Sequence, residues 1–345
     1  MAQLSNKSLN ILAIRFSAIG DVAMTVPLVD SFLRQYPQHH LTFISVPKHE
    51  ALFRNLPSNF EFIGADVKKE YHGIKGLKRL TSALAARNFD VVLDLHSVLR
   101  SRFISIGLGL HGSRVYTIGK DRIVRKAVTR RLLKREKPLA SAFDRYAHVF
   151  EKAGMPVYVD FSSLFPESPK SVPEFVGPKY GRWIGIAPFA AHQGKIYPIE
   201  LMEKVVQGLE SDDTCTRIFV FAYGKELEQV RHWKDRFGKL TLISGQYSFS
   251  QELELMNWLD VMVSMDSSNM HLASLAGTRV VSVWGATHPV AGFLGYGQKP
   301  EDCVQVDMGC RPCSIYGKKA CRYGNCRCMT AITPQMILER IKADN

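Results

Sequence analysis

Eight short apolar runs, separated by stretches of helix length, constrain the fold of this 345-residue chain more than any other feature. The runs are rich in Val and Ile and do not alternate with polar residues, which is typical of strands buried on both faces of a parallel sheet. Such strand–helix alternation predicts an α/β fold. The predicted strands are 9–14, 41–46, 90–95, 183–187, 217–222, 240–243, 260–265 and 279–284, and the predicted helices include 26–36, 77–88, 199–209, 226–237 and 250–258.

The alternation pauses at residues 166–181, where four prolines and two glycines fall within sixteen residues. This composition is typical of an interdomain linker. We therefore predict two Rossmann-like αβα domains, at 1–165 and 182–345. Because such folds bind ligands at the carboxyl ends of their strands, a cleft between two facing sheets is the expected site.

The composition excludes several classes of protein. A hydrophobic content of 46% and a charged content of 22% are ordinary for a globular protein and exclude a disordered chain. No apolar run approaches the ~20 residues that span a bilayer, and the first run is too short for the core of a signal peptide. We therefore expect a cytoplasmic protein whose seven cysteines are reduced.

The net charge of +13 is unevenly distributed along the chain. Residues 1–175 hold 26 Lys and Arg against 15 Asp and Glu, and the densest basic stretch runs from Arg114 to Lys137. Nucleic acid, an anionic membrane surface and a phosphorylated substrate all fit this charge. Because no RNA-binding motif or helix-turn-helix pattern accompanies it, we disfavour nucleic acid.

Polar residues follow several predicted strands. Asp21 follows the first strand, where its carboxylate is predicted to be either reactive or a helix cap. Lys195 follows the strand at 183–187, where its side chain is predicted either to bind a phosphate or to be solvated. Asp266 to His271 follow the strand at 260–265, where hydroxyls and backbone N–H groups at a helix start can bind an anion. The turn Trp284–Pro289 follows the next strand.

Together these segments resemble the ADP-heptose:lipopolysaccharide heptosyltransferases, glycosyltransferase family 9. The order of the motifs carries the resemblance, which extends over nearly the whole chain. They are Arg15…Gly20-Asp21-Val22…Pro27, Lys195…Pro198, Asp266-Ser267…His271-Leu272-Ala273 and Trp284-Gly285-Ala286-Thr287-His288-Pro289.

The resemblance implies a GT-B fold and an inverting displacement of ADP from a heptose. It implies that Asp21 is the general base on the acceptor hydroxyl and that Lys195 stabilises the departing diphosphate, with no required cofactor or metal. The donor-binding residues it implies are Asp266, Ser267, Ser268 and His271, together with Glu226 or Glu228 at the adenosine ribose.

The resemblance also implies that the N-terminal domain binds the acceptor, a lipopolysaccharide inner core of the Kdo-lipid A type. The basic residues expected to contact it are Arg100, Arg102, Arg130, Arg131 and Lys134. Residues 121–135 form an amphipathic pattern, which predicts either a solvated helix or an element that docks at the inner face of the inner membrane.

Three departures from the family pattern leave the donor open. Ala190-Ala191 replaces a pair of threonines, Ser267-Ser268 replaces Thr-Gly, and His288 stands where Asp is common. The alternatives are a GT-B transferase that uses another nucleotide-sugar, and a nucleotide-sugar epimerase.

Five cysteines fall within the segment 310–328. Cys310 and Cys313 have metal-ligand spacing, and Cys326 and Cys328 would complete a zinc knuckle. Because the second pair is CxC and one cysteine is left over, we favour reduced thiols in a loop-rich segment over a zinc site.

Overall fold

Eleven β-strands in the described residues form two fully parallel sheets. The computed structural model describes residues 7–119, 124, 127–129, 139–166, 172–243 and 245–343. The described chain divides into two compact units. The first comprises residues up to 119 together with 142–164, and the second comprises 165–343 together with the described residues among 122–141.

The first unit is built on a five-stranded sheet of order β3-β2-β1-β4-β5. Leu12, Ile14 and Val92 project from its central strands into one apolar core with residues of the covering helices. Its strands are β1 Asn10–Ile14, β2 His40–Ser45, β3 Phe60–Gly64, β4 Val91–Asp94 and β5 Arg114–Thr117, and its helices are α1 Ile19–Ala23, α2 Val26–Gln35, α3 Gly73–Ala85, α4 Leu99–Leu110 and α5 Ala142–Lys152, with a 3-10 helix at Pro47–Phe53.

The second unit is built on a six-stranded sheet of order β11-β10-β9-β6-β7-β8. Its strands are β6 Arg182–Ala187, β7 Cys215–Phe221, β8 Leu240–Ile243, β9 Val261–Met265, β10 Arg279–Val283 and β11 Cys303–Val304. Its helices are α6 Ile199–Glu210, α7 Lys225–Val230, α8 Trp233–Arg236, α9 Phe249–Trp258, α10 Ser268–Leu275, α11 Arg327–Thr330 and α12 Pro334–Lys342, with 3-10 helices at Glu174–Val176, Gln193–Lys195, Pro289–Ala291 and Pro300–Asp302.

Both sheets have the strand order of a doubly wound Rossmann-like unit, which confirms the predicted α/β class. In such a sheet the order reverses between two neighbouring strands, and ligands bind outside the carboxyl ends of that pair. The reversal falls between β1 and β4 in the first unit and between β6 and β9 in the second. Each unit therefore has its own topological switch point.

The eight predicted strands are all present, within two residues at each end. The three strands that the sequence pattern missed, β3, β5 and β11, all lie at sheet edges. An edge strand has a partner on one side only, and these three lack the continuous apolar run by which β8, the fourth edge strand, was predicted.

One local prediction needs correction. The stretch predicted as one helix at 226–237 forms two short helices, α7 and α8. Helix α6 begins at Ile199, as predicted, and Pro198 is its N-cap.

One part of the domain prediction also differs from the structure. Val128 and Leu139 pack against Ala291 and Ile315, so these described residues belong to the second unit and not to the N-terminal domain. Within the described parts of the chain, every helix is too short or too polar to cross a lipid bilayer.

Candidate active site

An ion pair occupies the switch point of the first unit. The guanidinium of Arg15, which directly follows β1, lies 2.8 Å from Oδ2 of Asp21. Asp21 is the third residue of α1, and its Oδ2 also accepts a hydrogen bond from the N–H of Ala18 at 3.3 Å. Asp21 is therefore not the N-cap residue, which is Ala18, but its carboxylate caps the helix start from the third helical position. Its side chain keeps 39% of its surface exposed, so substrate can reach the carboxylate.

Arg15 is buried and joins the two strands that flank this switch point. One of its amino groups donates to the carbonyl of Leu95, directly after β4, at 2.5 Å. Burial lowers the pKa of Arg15, but Tyr146 and Asp21 more than offset this effect and raise the pKa above its ordinary value. Arg15 therefore stays charged and fixes the position of the Asp21 carboxylate.

The loop after β4 contributes residues that sequence reasoning missed. Asp94 is fully buried, and its Oδ1 accepts the N–H groups of His96 and Ser97 at 3.0 and 2.7 Å. The His96 ring lies beside the loop after β1, because its Nδ1 accepts from the N–H of Phe16 at 3.4 Å. The sequence contained a signal for this residue, because His96 lies one residue past a predicted strand, at the same sheet edge as Asp21.

A second ion pair occupies the switch point of the second unit. Nζ of Lys195, in the loop after β6, lies 2.9 Å from Oδ2 of Asp266, the first residue after β9. Both side chains are largely buried, so their attraction is weakly screened by solvent. Because the two strands are neighbours, the sheet brings together two residues that are 71 positions apart in the sequence.

The N-terminus of α10 lies directly beside this pair. Ser267 is the N-cap residue, Ser268 is the first helical residue and His271 follows in the first turn, so all three lie at a helix start. The Ser267 hydroxyl lies 3.3 Å from that of Ser264 and does not cap the helix. The helix dipole and the backbone N–H groups favour an anion at this place.

The two candidate glutamates on α7 differ in environment. Glu226 is half-buried, and burial raises the pKa of its carboxyl. The side chain of Glu228 is 66% exposed and pairs with Arg231 at 2.8 Å. Both glutamates lie at the carboxyl edge of the sheet, because α7 follows β7, which adjoins β6. Glu226 is the better candidate for ligand binding, because Glu228 is exposed and already paired with Arg231.

Arg311 organises the turn at 284–289, a role that sequence reasoning missed. Its buried guanidinium donates to the carbonyl oxygens of Trp284, Gly285 and Thr287. His288 ends this turn, and its Nδ1 accepts the N–H of Val290 at 3.1 Å. Burial, and then the charge of Arg311, lower the pKa of His288, which is consistent with a neutral structural ring.

The cysteine-rich segment lines a cavity of about 990 Å³ in the second unit. All five of its cysteines contribute, and they carry free thiols. No group of three or more His, Cys, Asp or Glu side chains in the described residues is arranged to hold a metal ion. The thiols of Cys310, Cys313, Cys326 and Cys328, the alternative zinc ligands, do not form such a group among the described residues.

The predicted acceptor residues divide into two sets. Arg100 and Arg102 lie exposed in the first turn of α4, and Nε of Arg102 donates to the hydroxyl of Ser97 at 3.2 Å. Arg130, Arg131 and Lys134 lie outside the described residues, as does most of the amphipathic segment 121–135.

Two Rossmann-like units in one chain, each with charged side chains at its switch point, have the architecture of GT-B glycosyltransferases. Solved heptosyltransferase structures resemble the chain over nearly its whole length, so the chain has the GT-B fold. The sequence profile of glycosyltransferase family 9 (heptosyltransferase) matches residues 77–324, which is more than half of the chain. The chain belongs to this family, and it is a glycosyltransferase.

Individual relatives agree with this assignment. The chain is 25% identical over 307 residues to the lipopolysaccharide core heptosyltransferase OpsX of Haemophilus influenzae, a match that covers 82% of this chain and 80% of OpsX. Among solved structures it resembles E. coli ADP-heptose lps heptosyltransferase II, with a TM-score of 0.70, 18% identity and coverage of 96% and 97% of the two chains. It also resembles E. coli heptosyltransferase WaaC with ADP-2-deoxy-2-fluoro heptose, with a TM-score of 0.67, 16% identity and coverage of 97% and 99%.

Proposed function

We propose that this protein transfers a heptose from ADP-heptose to a lipopolysaccharide inner-core acceptor of the Kdo-lipid A type. The observation that carries the proposal is the Lys195–Asp266 pair at the second switch point, beside the N-terminus of α10. A buried lysine, two serines and a helix N-terminus at one strand edge are suited to the diphosphate of a nucleotide-sugar. The relatives suggest the sugar: WaaC is solved with ADP-2-deoxy-2-fluoro heptose, and OpsX is a lipopolysaccharide core heptosyltransferase.

The proposed reaction is a single inverting displacement. The acceptor hydroxyl oxygen forms a bond to the anomeric carbon of the heptose, and the bond from that carbon to the diphosphate breaks. Asp21 accepts the hydroxyl proton, and Arg15 holds the carboxylate in place. ADP leaves with the bonding electrons, and Lys195, together with the α10 N-terminus, stabilises its added charge.

The remaining residues bind the substrates. Asp266 positions Lys195 and contacts sugar hydroxyls, while Ser267, Ser268 and His271 contact the diphosphate. Arg100 and Arg102 bind anionic groups of the acceptor from the first turn of α4. Because that acceptor is a glycolipid, the protein works at the inner face of the inner membrane. In this proposal it is a cytoplasmic, peripheral enzyme that needs no cofactor.

Purified protein incubated with ADP-heptose and a Kdo-lipid A acceptor should release ADP in proportion to the glycolipid that is glycosylated. Omitting the acceptor should stop the release. Conversion of the nucleotide-sugar to an isomer without any acceptor would contradict the proposal and favour an epimerase. Transfer from another nucleotide-sugar, with none from ADP-heptose, would contradict the assigned donor.

Replacing Glu226 with Gln should raise the KM for ADP-heptose by about tenfold, because the hydrogen bond from a ribose hydroxyl to the carboxylate becomes a weaker one to a neutral amide oxygen. The matched control is Glu228→Gln, on the same helix but exposed and paired with Arg231. We expect the control to leave the KM unchanged in steady-state assays of ADP release. Equal effects of the two substitutions would show that Glu226 has no special contact with the donor.

A further inference from the structure

Helix α4 carries apolar side chains on its outward face as well as on its inward face. Its inward face carries Ser101 and Ser105 beside Ile104 and Leu108, and all four are buried. Its outward face carries Leu99, Ile106 and Leu110, which are 89%, 64% and 84% exposed. Positions 99, 106 and 110 lie on one stripe of a helix, directly opposite the buried stripe.

The neighbouring helix extends this apolar surface. Ile74, in the first turn of α3, is 68% exposed. The two helices pack closely, since a Cβ on Gly107 of α4 would lie 2.5 Å from the Thr81 methyl of α3. Ile74 and Thr81 are seven residues apart and therefore share one side of α3. We refer to Ile74, Leu99, Ile106 and Leu110 as the apolar patch.

The two chain segments that carry the apolar patch hold only basic charges. Neither 71–89 nor 95–119 contains an Asp or a Glu. Exposed Lys75 and Lys78 lie in α3, and exposed Arg100 and Arg102 lie in α4. Within the described part of the chain, none of these four forms an ion pair. Exposed aliphatic side chains within a basic rim complement a surface with anionic headgroups above an apolar interior.

The apolar patch begins at the edge of the sheet where the chemistry is placed. In a parallel αβα unit the helices start at the carboxyl edge of the sheet, so the first turns of α3 and α4 lie at the same edge as Asp21. Ile74, Leu99 and the four basic residues are all in or next to those first turns. A lipid surface that contacts them would present a membrane-anchored acceptor to this edge.

We propose that the apolar patch and its basic rim dock this protein on an anionic lipid bilayer. The inference rests on the proposed function only in treating the acceptor as a glycolipid. The docking surface differs from the segment 121–135 that the sequence suggested: it consists of α3 and α4. The aliphatic side chains enter the headgroup region, and Lys75, Lys78, Arg100 and Arg102 contact lipid phosphates.

Co-sedimentation of the full chain with vesicles tests this proposal. The wild type should bind vesicles of phosphatidylethanolamine and phosphatidylglycerol and should bind vesicles of phosphatidylcholine at least tenfold more weakly.

The triple variant Leu99→Ser, Ile106→Ser, Leu110→Ser should bind the anionic vesicles at least tenfold more weakly than the wild type. Lys75→Gln with Lys78→Gln should reduce the binding and its salt dependence. The control Tyr158→Ser with Tyr180→Ser, which replaces two exposed aromatic side chains elsewhere, should bind like the wild type.

Activity separates this proposal from the proposed function. The triple serine variant should release ADP at the wild-type rate with acceptor dispersed in detergent, and more slowly with acceptor embedded in vesicles. If the serine variant bound anionic vesicles as tightly as the wild type does, the docking proposal would be overturned. So would a dimer in sedimentation velocity that the serine substitutions abolish, because a second copy would then cover the apolar patch. Failure of the wild type to release ADP with any acceptor would refute the transferase function and leave the vesicle result standing.

Discussion

Asp21→Asn should reduce kcat for heptosyl transfer by about a hundredfold to ten-thousandfold, the range that general base catalysis contributes. The amide has nearly the same shape as the carboxylate but cannot accept the hydroxyl proton. Binding of ADP should be unchanged, because the residues proposed to bind the donor belong to the second unit. Steady-state rates of ADP release and calorimetric titration with ADP measure the two effects separately.

The substitution also leaves the buried guanidinium of Arg15 without its counter-ion, so it lowers the stability of the first unit. Thermal unfolding of the variant shows whether it remains folded at the assay temperature. Asp160→Asn is the matched control, since it removes another exposed carboxylate of the first unit that pairs with an arginine, Arg34. Transfer activity of Asp21→Asn within tenfold of the wild type would exclude Asp21 as the base.

The central strands could be predicted from the sequence because burial on both faces leaves a continuous apolar run. Strand β9, Val261–Met265, lies inside its sheet, is buried throughout and falls within the predicted bounds of 260–265. Strand β5, in contrast, lies within the basic stretch that begins at Arg114, and its first two residues are exposed. A four-residue edge strand with such exposure has no pattern that distinguishes it from a loop.

The positions of the site residues could be predicted because parallel strands end at one edge of a sheet. Asp21, Lys195 and Asp266 each follow a predicted strand, so their location at a carboxyl edge required only the α/β assignment. Their partners could not be predicted. The pairing of Lys195 with Asp266 depends on the strand order, which places β9 next to β6 although β7 and β8 intervene in the sequence.

The role of Arg311 could not be predicted for a related reason. In the sequence it is one more basic residue, between Cys310 and Pro312. Its function depends on three carbonyl oxygens of a turn more than twenty residues away. The choice between Glu226 and Glu228 likewise depends on burial and on the Arg231 side chain, neither of which is visible in a spacing pattern.

Lys195→Met should reduce kcat/KM for ADP-heptose by about a hundredfold to a thousandfold, the usual effect of removing one preorganised group that stabilises developing charge. Methionine has a similar length and no charge, so the variant isolates the loss of the ammonium group. ADP should bind at least tenfold more weakly, because the diphosphate loses its cation, whereas adenosine should bind as it does to the wild type. Steady-state kinetics and parallel titrations with ADP and adenosine measure these effects.

The second unit supplies a matched control for this substitution. Lys179 also pairs with an aspartate, Asp260, at 3.0 Å, but Asp260 lies at the amino end of β9, the opposite edge of the sheet from Asp266. Lys179→Met should therefore leave kinetics and ADP binding unchanged.

Because Lys195→Met leaves the buried Asp266 carboxylate unpaired, the double variant Lys195→Met with Asp266→Asn removes both charges and avoids the cost of that unpaired charge. If the double variant folds and binds ADP as tightly as the wild type, the diphosphate does not bind at the second switch point.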